Sequence, residues 1–186
     1  MDPVTWLLVG GKVAVGAIIT WIKGHTVLVA VLAVAGVSIA SWAYIVHQFT
    51  VTIIPFLRST LGDTIADGMA ALISHLDDVA TLLQRNVSIA WRAFKSRLLS
   101  WKTTFKKTTA STATSHSEAY VLASDGKVIK RVIEEEVPWA ELPEDIRHAF
   151  MRNQGRDEVV DSKDLTERIV RATATEKGVD LDSDNG

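Results

Sequence analysis

Residues 27–46 run for about twenty positions without a charge, the length a helix needs to cross a hydrocarbon core about 30 Å thick. This run constrains the chain more than any other feature, because it predicts a membrane-spanning helix. Residues 4–22 form a second apolar run, with Trp6 and Trp21 near its ends, where amphipathic rings favour the headgroup level. Lys12 lies in its middle, and a lysine at mid-bilayer costs about 2.5–3.5 kcal/mol on insertion scales. Gly10, Gly11 and Gly16 weaken it further as a helix. Three arrangements stay open for residues 4–22: pairing as a spanning hairpin through Lys23-Gly24-His25, lying at the interface, or spanning only when a partner satisfies Lys12. The hairpin, with spans at about 4–22 and 27–48, is the expected one.

A cleaved leader does not fit. The start Met1-Asp2-Pro3 has no basic residue before Lys12, and apolar sequence continues past Ala33-Val34-Ala35. Within the stronger run, Ala33, Gly36, Ala40 and Ala43 recur at three- and four-residue steps, a small-residue stripe for helix–helix packing or self-association.

Charge is unevenly spread. Residues 1–57 carry a net +1, residues 58–107 a net +4 and residues 118–186 a net −7, within an overall −2. Such asymmetry predicts separate environments along one chain. After Pro55, expected to end or kink the span, apolar positions from Ile65 to Phe105 step by three or four, the pattern of one long amphipathic helix over 58–107. Its second half places Trp91, Phe94, Leu98, Trp101 and Phe105 on one face. Arg92, Lys95, Arg97, Lys102, Lys106 and Lys107 flank them. That pattern suits a helix on an anionic lipid surface, with a partner groove or a helical bundle as rival settings. No nucleic acid is expected, because one basic helix lacks a recognition fold. The basic cluster also predicts that the chain beyond residue 50 is cytoplasmic.

Residues 108–117 are small and polar and read as a linker. Beyond them, Asp125-Gly126 between two β-rich runs is a strong hairpin signal. Pro143 opens one helical pattern and Asp161 or Ser162 a second, and Gly155 and Gly178 close them. The expectation is a small acidic ββαα domain over 118–180, with a disordered tail at 181–186. A lone hairpin is rarely stable, so this domain is expected to meet a protein partner or another copy through Tyr120, Val121, Val128, Val132 and Trp139. Glu134-Glu135-Glu136 suits a basic partner or cations, or simply a solvated surface.

Reactive chemistry is not legible. Cysteine is absent and the five histidines are scattered. Gly10-Gly11-Lys12 lacks the spacing of a phosphate loop, and no metalloprotease helix or serine elbow occurs. No catalytic, cofactor or metal residues are therefore expected, and the chain is not expected to be an enzyme. The sequence reads as a mainly α membrane protein: a transmembrane helical hairpin, a long amphipathic helix and the ββαα domain. The role expected is a membrane-anchored, oligomeric adaptor or scaffold. The alternative is an oligomeric pore-forming protein of viroporin or holin type.

Overall fold

Gly36 splits the long apolar run in two. Its φ of 71° is left-handed, which glycine adopts without strain and which ends a helix. In the computed structural model, which describes residues 15–82, 84–152 and 154–182, helix α1 (Val15–Lys23) is followed by α2 (Thr26–Ala35), which stops at Gly36. Ser38 opens the next helix, its hydroxyl oxygen accepting the Ser41 backbone N–H at 2.9 Å. The path bends by 98° between Ala17–Lys23 and Thr26–Ala35. Ten residues of α2 rise only about 15 Å, half a hydrocarbon core. The single span expected at about 27–48 is thus not formed, and residues 4–14 of the other expected span, with Trp6, Gly10, Gly11 and Lys12, lie outside the described residues.

Among the described residues, the helix long and apolar enough to cross a membrane is instead α3, Ile39–Leu61, with 23 residues and a mean hydropathy of 1.3 over its most apolar 18. It is the core helix of this fold, since 72% of its most apolar stretch is buried inside the protein. Pro55 does not end it. A wider π turn, Phe49–Ile53, precedes the proline, and the Ile54 N–H reaches back to the Phe49 carbonyl. The widened turn accommodates a ring that lacks an N–H and would crowd a regular one.

Helix α4 (Asp63–Ser74), a 3-10 turn (Leu76–Thr81) and α5 (Gln84–Arg97) come next. The Asp77 carboxylate caps α2 from this turn, accepting the Val27 and Leu28 N–H groups at 3.3 and 3.0 Å. α4 and α5 cross closely at Gly68, where an added Cβ would sit 2.5 Å from the Ala90 Cβ.

The one long amphipathic helix expected over 58–107 is thus broken into the end of α3, α4, the 3-10 turn and α5, which ends at Arg97. The chain continues directly as strand β1 (Leu98–Lys107), followed by β2 (Thr112–Leu122), β3 (Val128–Pro138) and β4 (Glu158–Asp161). They form one antiparallel sheet in the order β3-β2-β1-β4. Most of the expected linker is therefore strand. The Asp125-Gly126 turn is present, with Gly126 at φ 85° and the Ala123 N–H bonded to the Lys127 carbonyl at 2.8 Å. Its strands run well beyond the expected hairpin.

A 3-10 turn (Trp139–Glu141) leads to α6 (Glu144–Arg152), and Asp161 caps α7 (Ser162–Glu176) by accepting the Asp164 N–H at 3.0 Å. These elements do not make a separate ββαα unit. Ala119, Val121, Ile169 and Val170 share one core with Ile22, Leu32, Phe49 and Trp91. The chain is an α+β fold, with α3, α5 and α7 against one face of a four-stranded sheet, and not the mainly α membrane architecture expected.

Candidate functional site

The inner face of β2 is lined by Ala113, Ser115, Ser117 and Ala119, all buried. Side chains this small let α3 lie close to the sheet. Buried hydroxyls then need partners, and Gln48 of α3 supplies them. Its Nε2 donates to Ser115 Oγ at 3.0 Å, and its Oε1 accepts from Thr103 Oγ1 at 2.9 Å. Thr103 also meets Ser117 Oγ at 2.9 Å and Ser162 Oγ at 3.0 Å, so one hydroxyl joins α3, β1, β2 and α7. Ser41 ties α3 to α6, its hydroxyl lying 2.6 Å from either carboxylate oxygen of Asp145.

One turn away the accounting fails. Among the described residues, Tyr44 Oη, His47 Nδ1 and Arg147 Nε are buried and make no hydrogen bond of good geometry, and the same holds for Trp42 Nε1, Thr50 Oγ1, Trp91 Nε1 and Trp101 Nε1 elsewhere in the core; Ser115 and Gln48 lie near enough to the Tyr44 hydroxyl to lower its pKa. Tyr44, His47 and Arg147 all line one cleft of about 750 Å³, between α3, the end of β3, the Trp139–Glu141 turn and the start of α6. A smaller cavity of about 160 Å³, walled by Ser41, Gln48, Phe105, Asp145 and Ile146, adjoins it and shares Tyr44 and Pro143. Tyr44 is only 6% exposed, and its ring packs 5.5 Å from that of Phe105.

The cleft is acidic. Glu135, Glu136, Glu141 and Glu144 line it against His47 and Arg147. Glu135 Oε2 lies 3.7 Å from His47 Nε2. That imidazole holds the Glu135 carboxyl below the usual range, against the opposing effect of partial burial. Burial pushes the Tyr44 phenol up to about 12; the Glu135 charge adds to this, and Ser115 and Gln48 oppose it. At neutral pH Tyr44 is therefore a neutral hydroxyl, able to donate and accept. Among the described residues no three His, Asp or Glu side chains are placed to hold a metal ion.

The residues expected from sequence to contact lipid lie elsewhere. Trp91, Phe94, Leu98, Trp101 and Phe105 are all buried in the core, with Trp101 fully so. Phe49 meets the rings of Phe94 and Trp101 at 6.1 and 6.2 Å. The cations do not form one rim, because half of them sit on a helix and half on a strand. Arg92, Lys102, Lys106 and Lys107 are exposed. Lys95 pairs with Asp182 and covers the Trp91 ring, Arg97 donates to the Ala123 carbonyl at 3.4 Å, and Lys107 sits 4.8 Å above Trp139.

The small-residue stripe is also dispersed. Ala33 and Gly36 are exposed, Ala40 is half-buried and Ala43 is buried on α3. Of the expected partner contacts, Val121 is buried, Tyr120 lies half-buried beside Lys130, and Trp139 packs 5.6 Å from Phe150 at the cleft's edge. Val128 and Val132 are exposed on β3.

The acidic run Glu134–Glu136 was visible in the sequence, but only Glu135 and Glu136 line the cleft, while Glu134 meets His116 on the outer face. Tyr44 and His47 were not singled out, because polar groups three residues apart inside an apolar run read as tolerated exceptions, and Arg147 sits in a charged stretch where nothing marks it. No protein-family model matches this chain, and neither a curated protein nor a solved structure matches it significantly.

Proposed function

We propose that the chain is a binding module, an adaptor whose cleft takes a lysine- or arginine-bearing segment of a protein partner. The observation that carries this reading is the convergence, at a cleft edged by four glutamates, of two buried polar atoms without a partner, on His47 and Arg147, beside the incompletely satisfied hydroxyl of Tyr44. An unpaired buried donor or acceptor costs about 1–3 kcal/mol, which a ligand supplying the missing partner recovers on binding. The glutamates suit the cationic head of a long side chain. Ala40, Val137, Pro138 and Leu142 suit its aliphatic stem. The Arg147 Nε–H needs an acceptor, which a peptide carbonyl supplies.

The reading needs no helical membrane anchor, because the apolar surface of α3 is matched within the fold. It also needs no catalytic step, since a phenol held neutral by burial binds by hydrogen bonding and is a poor nucleophile.

The test is a titration of the full chain, followed by intrinsic fluorescence, with tetralysine and with tetraglutamate. Tetralysine should bind and weaken with added salt, while tetraglutamate should not bind. Glu141→Gln with Glu144→Gln should weaken tetralysine by about fivefold, two partly exposed charge contacts being worth about 1 kcal/mol together. Equal responses to the two peptides, or an affinity indifferent to the double substitution, would sink the proposal.

A further inference from the structure

Strand β3 lies at the edge of the sheet, with no strand on its outer side among the described residues. It is eleven residues long and pairs with β2 in regular register throughout. Val128, Ile129 and Val132 are 57%, 41% and 43% exposed along it. A long edge carrying apolar residues is a template for another strand, and charges usually blunt it. The charges here have a particular order. Lys130 and Arg131 precede Val132 and Ile133, and Glu134, Glu135 and Glu136 follow. A second β3 laid parallel meets like charge with like. Laid antiparallel, it meets the opposite sign.

We propose that two copies of this chain pair antiparallel through β3, about a two-fold axis at Ile133, to make one continuous sheet.

The register follows from geometry. Directly opposed residues in an antiparallel pair share a face of the sheet, and side chains alternate faces along each strand. The two-fold axis must therefore pass through a residue and not between two. With the axis at Ile133, Lys130 faces the other copy's Glu136 and Arg131 its Glu135, while Ile129 faces Val137 and Ile133 faces itself. Lys130, Arg131, Glu135 and Glu136 each meet the opposite charge and Ile129, Ile133 and Val137 each meet an apolar residue, while Glu134 is left beside Val132. With the axis at Val132, Lys130 still meets an acid, Glu134, but Ile129 faces Glu135 and Arg131 faces Ile133. Moving the axis by one residue, a slip of two between the strands, keeps at most one of the two kinds of charge pair, so the sequence selects Ile133.

Glu135, Glu136 and Val137 belong to both surfaces, since they line the cleft and lie on β3. The two readings are told apart by residues that only one of them uses: Glu141 and Glu144 line the cleft and are outside β3, and Lys130 lies on β3 outside the cleft, so the double substitution tests the peptide reading and Lys130→Glu tests the pairing.

The experiment uses the full chain in sedimentation equilibrium at low salt. A dimer is expected at tens of micromolar. Lys130→Glu and Glu136→Lys should each raise the dimer dissociation constant at least about tenfold, because each places like charges opposite one another twice. Mixing the two variants should restore a dimer, since all four residues then meet opposite charge; a misfolded variant could not do this. The chain has no cysteine, so Ile133→Cys alone should form an intermolecular disulfide on oxidation, and Val128→Cys should not. A monomer at every concentration, a dimer indifferent to both charge reversals, no rescue on mixing, or a dimer without cross-linking at position 133 would each overturn the proposal.

Discussion

On the inner face of the sheet, β1 presents Leu98, Trp101, Thr103 and Phe105, all buried. On the outer face the same strand presents Lys102, Thr104 and Lys106, and its neighbours add His116, Glu118, Lys130 and Glu134, all exposed or half-buried. Residues one position apart thus meet very different surroundings. The difference shows where the apolar surface of the N-terminal half is matched. Phe49 and its neighbours on α3 pack against Trp101 and the small residues of β2, so this helix finds within the protein the apolar contact that a bilayer would otherwise supply.

The two faces should respond unequally to substitution, and the largest contrast lies between adjacent residues. Trp101→Ala should cost about 3–5 kcal/mol, while Lys102→Ala should stay within about 0.5 kcal/mol, both read from denaturant unfolding. Comparable losses at the two positions would break the comparison. Thr103→Val should cost about 1–3 kcal/mol, because Gln48, Ser117 and Ser162 all meet its hydroxyl and lose that partner. A thermal or urea transition unchanged by this substitution would show that the buried network does not hold α3 to the sheet.

Tyr44→Phe should do much less to stability. Its hydroxyl makes no hydrogen bond of good geometry, although Ser115 and Gln48 lie near it, so the free protein should stay within about 1 kcal/mol of its original stability while tetralysine binding weakens. Loss of stability together with unchanged binding would make Tyr44 a structural residue.

The smallest effect belongs to the outer face. His116 lies 3.0 Å from Glu118 and 2.7 Å from Glu134, which raise its pKa in that order. A group raised in the folded state adds stability that is complete below its ordinary value near 6.5 and is lost as pH rises through the folded value. Stability should therefore decline slightly above pH 6.5, by about 0.5 kcal/mol or less at so exposed a site, and His116→Gln should remove that slope. A slope that persists in the variant would assign it to another group.

The same two faces explain which parts of the fold were legible. The Asp125-Gly126 turn, the Asp161 cap and the glycine stops were readable because each is a local requirement of the backbone. β1 was not. Trp101 and Phe105 are four apart, which fits a helix as well as a strand. The intervening inward residue, Thr103, is polar and drops out of an apolar pattern. Leu98 is three before Trp101, and both are buried only because the register shifts between Leu98 and Ser100. That bulge turns an alternating pattern into steps of three and four, the mark of a helix.

β2 was missed for a related reason. Its inward residues are alanine and serine, small so that α3 can approach, and a strand selected for smallness resembles a linker. The apolar run was read as one span because the effect of a single glycine depends on whether it takes up a left-handed conformation, and Gly36 does. The cleft draws on segments about ninety residues apart in sequence, which no local pattern joins.

The π turn of α3 has a bearing on how this chain can change over time. Gln48 and Tyr44, before the turn, face the hydroxyl network and the cleft, while Phe56 and Leu57, after it, are buried in the main core. A π turn holds one residue more than a regular turn, so the helix on either side keeps its facing. Losing one residue between Phe49 and Ile53 would return regular helix and leave both sets of contacts in place, at the cost of crowding the Pro55 ring. Losing a second would rotate one set away from its partners by about 100°. Descendants of this chain can therefore shed one residue at this turn where they also replace Pro55, and no more.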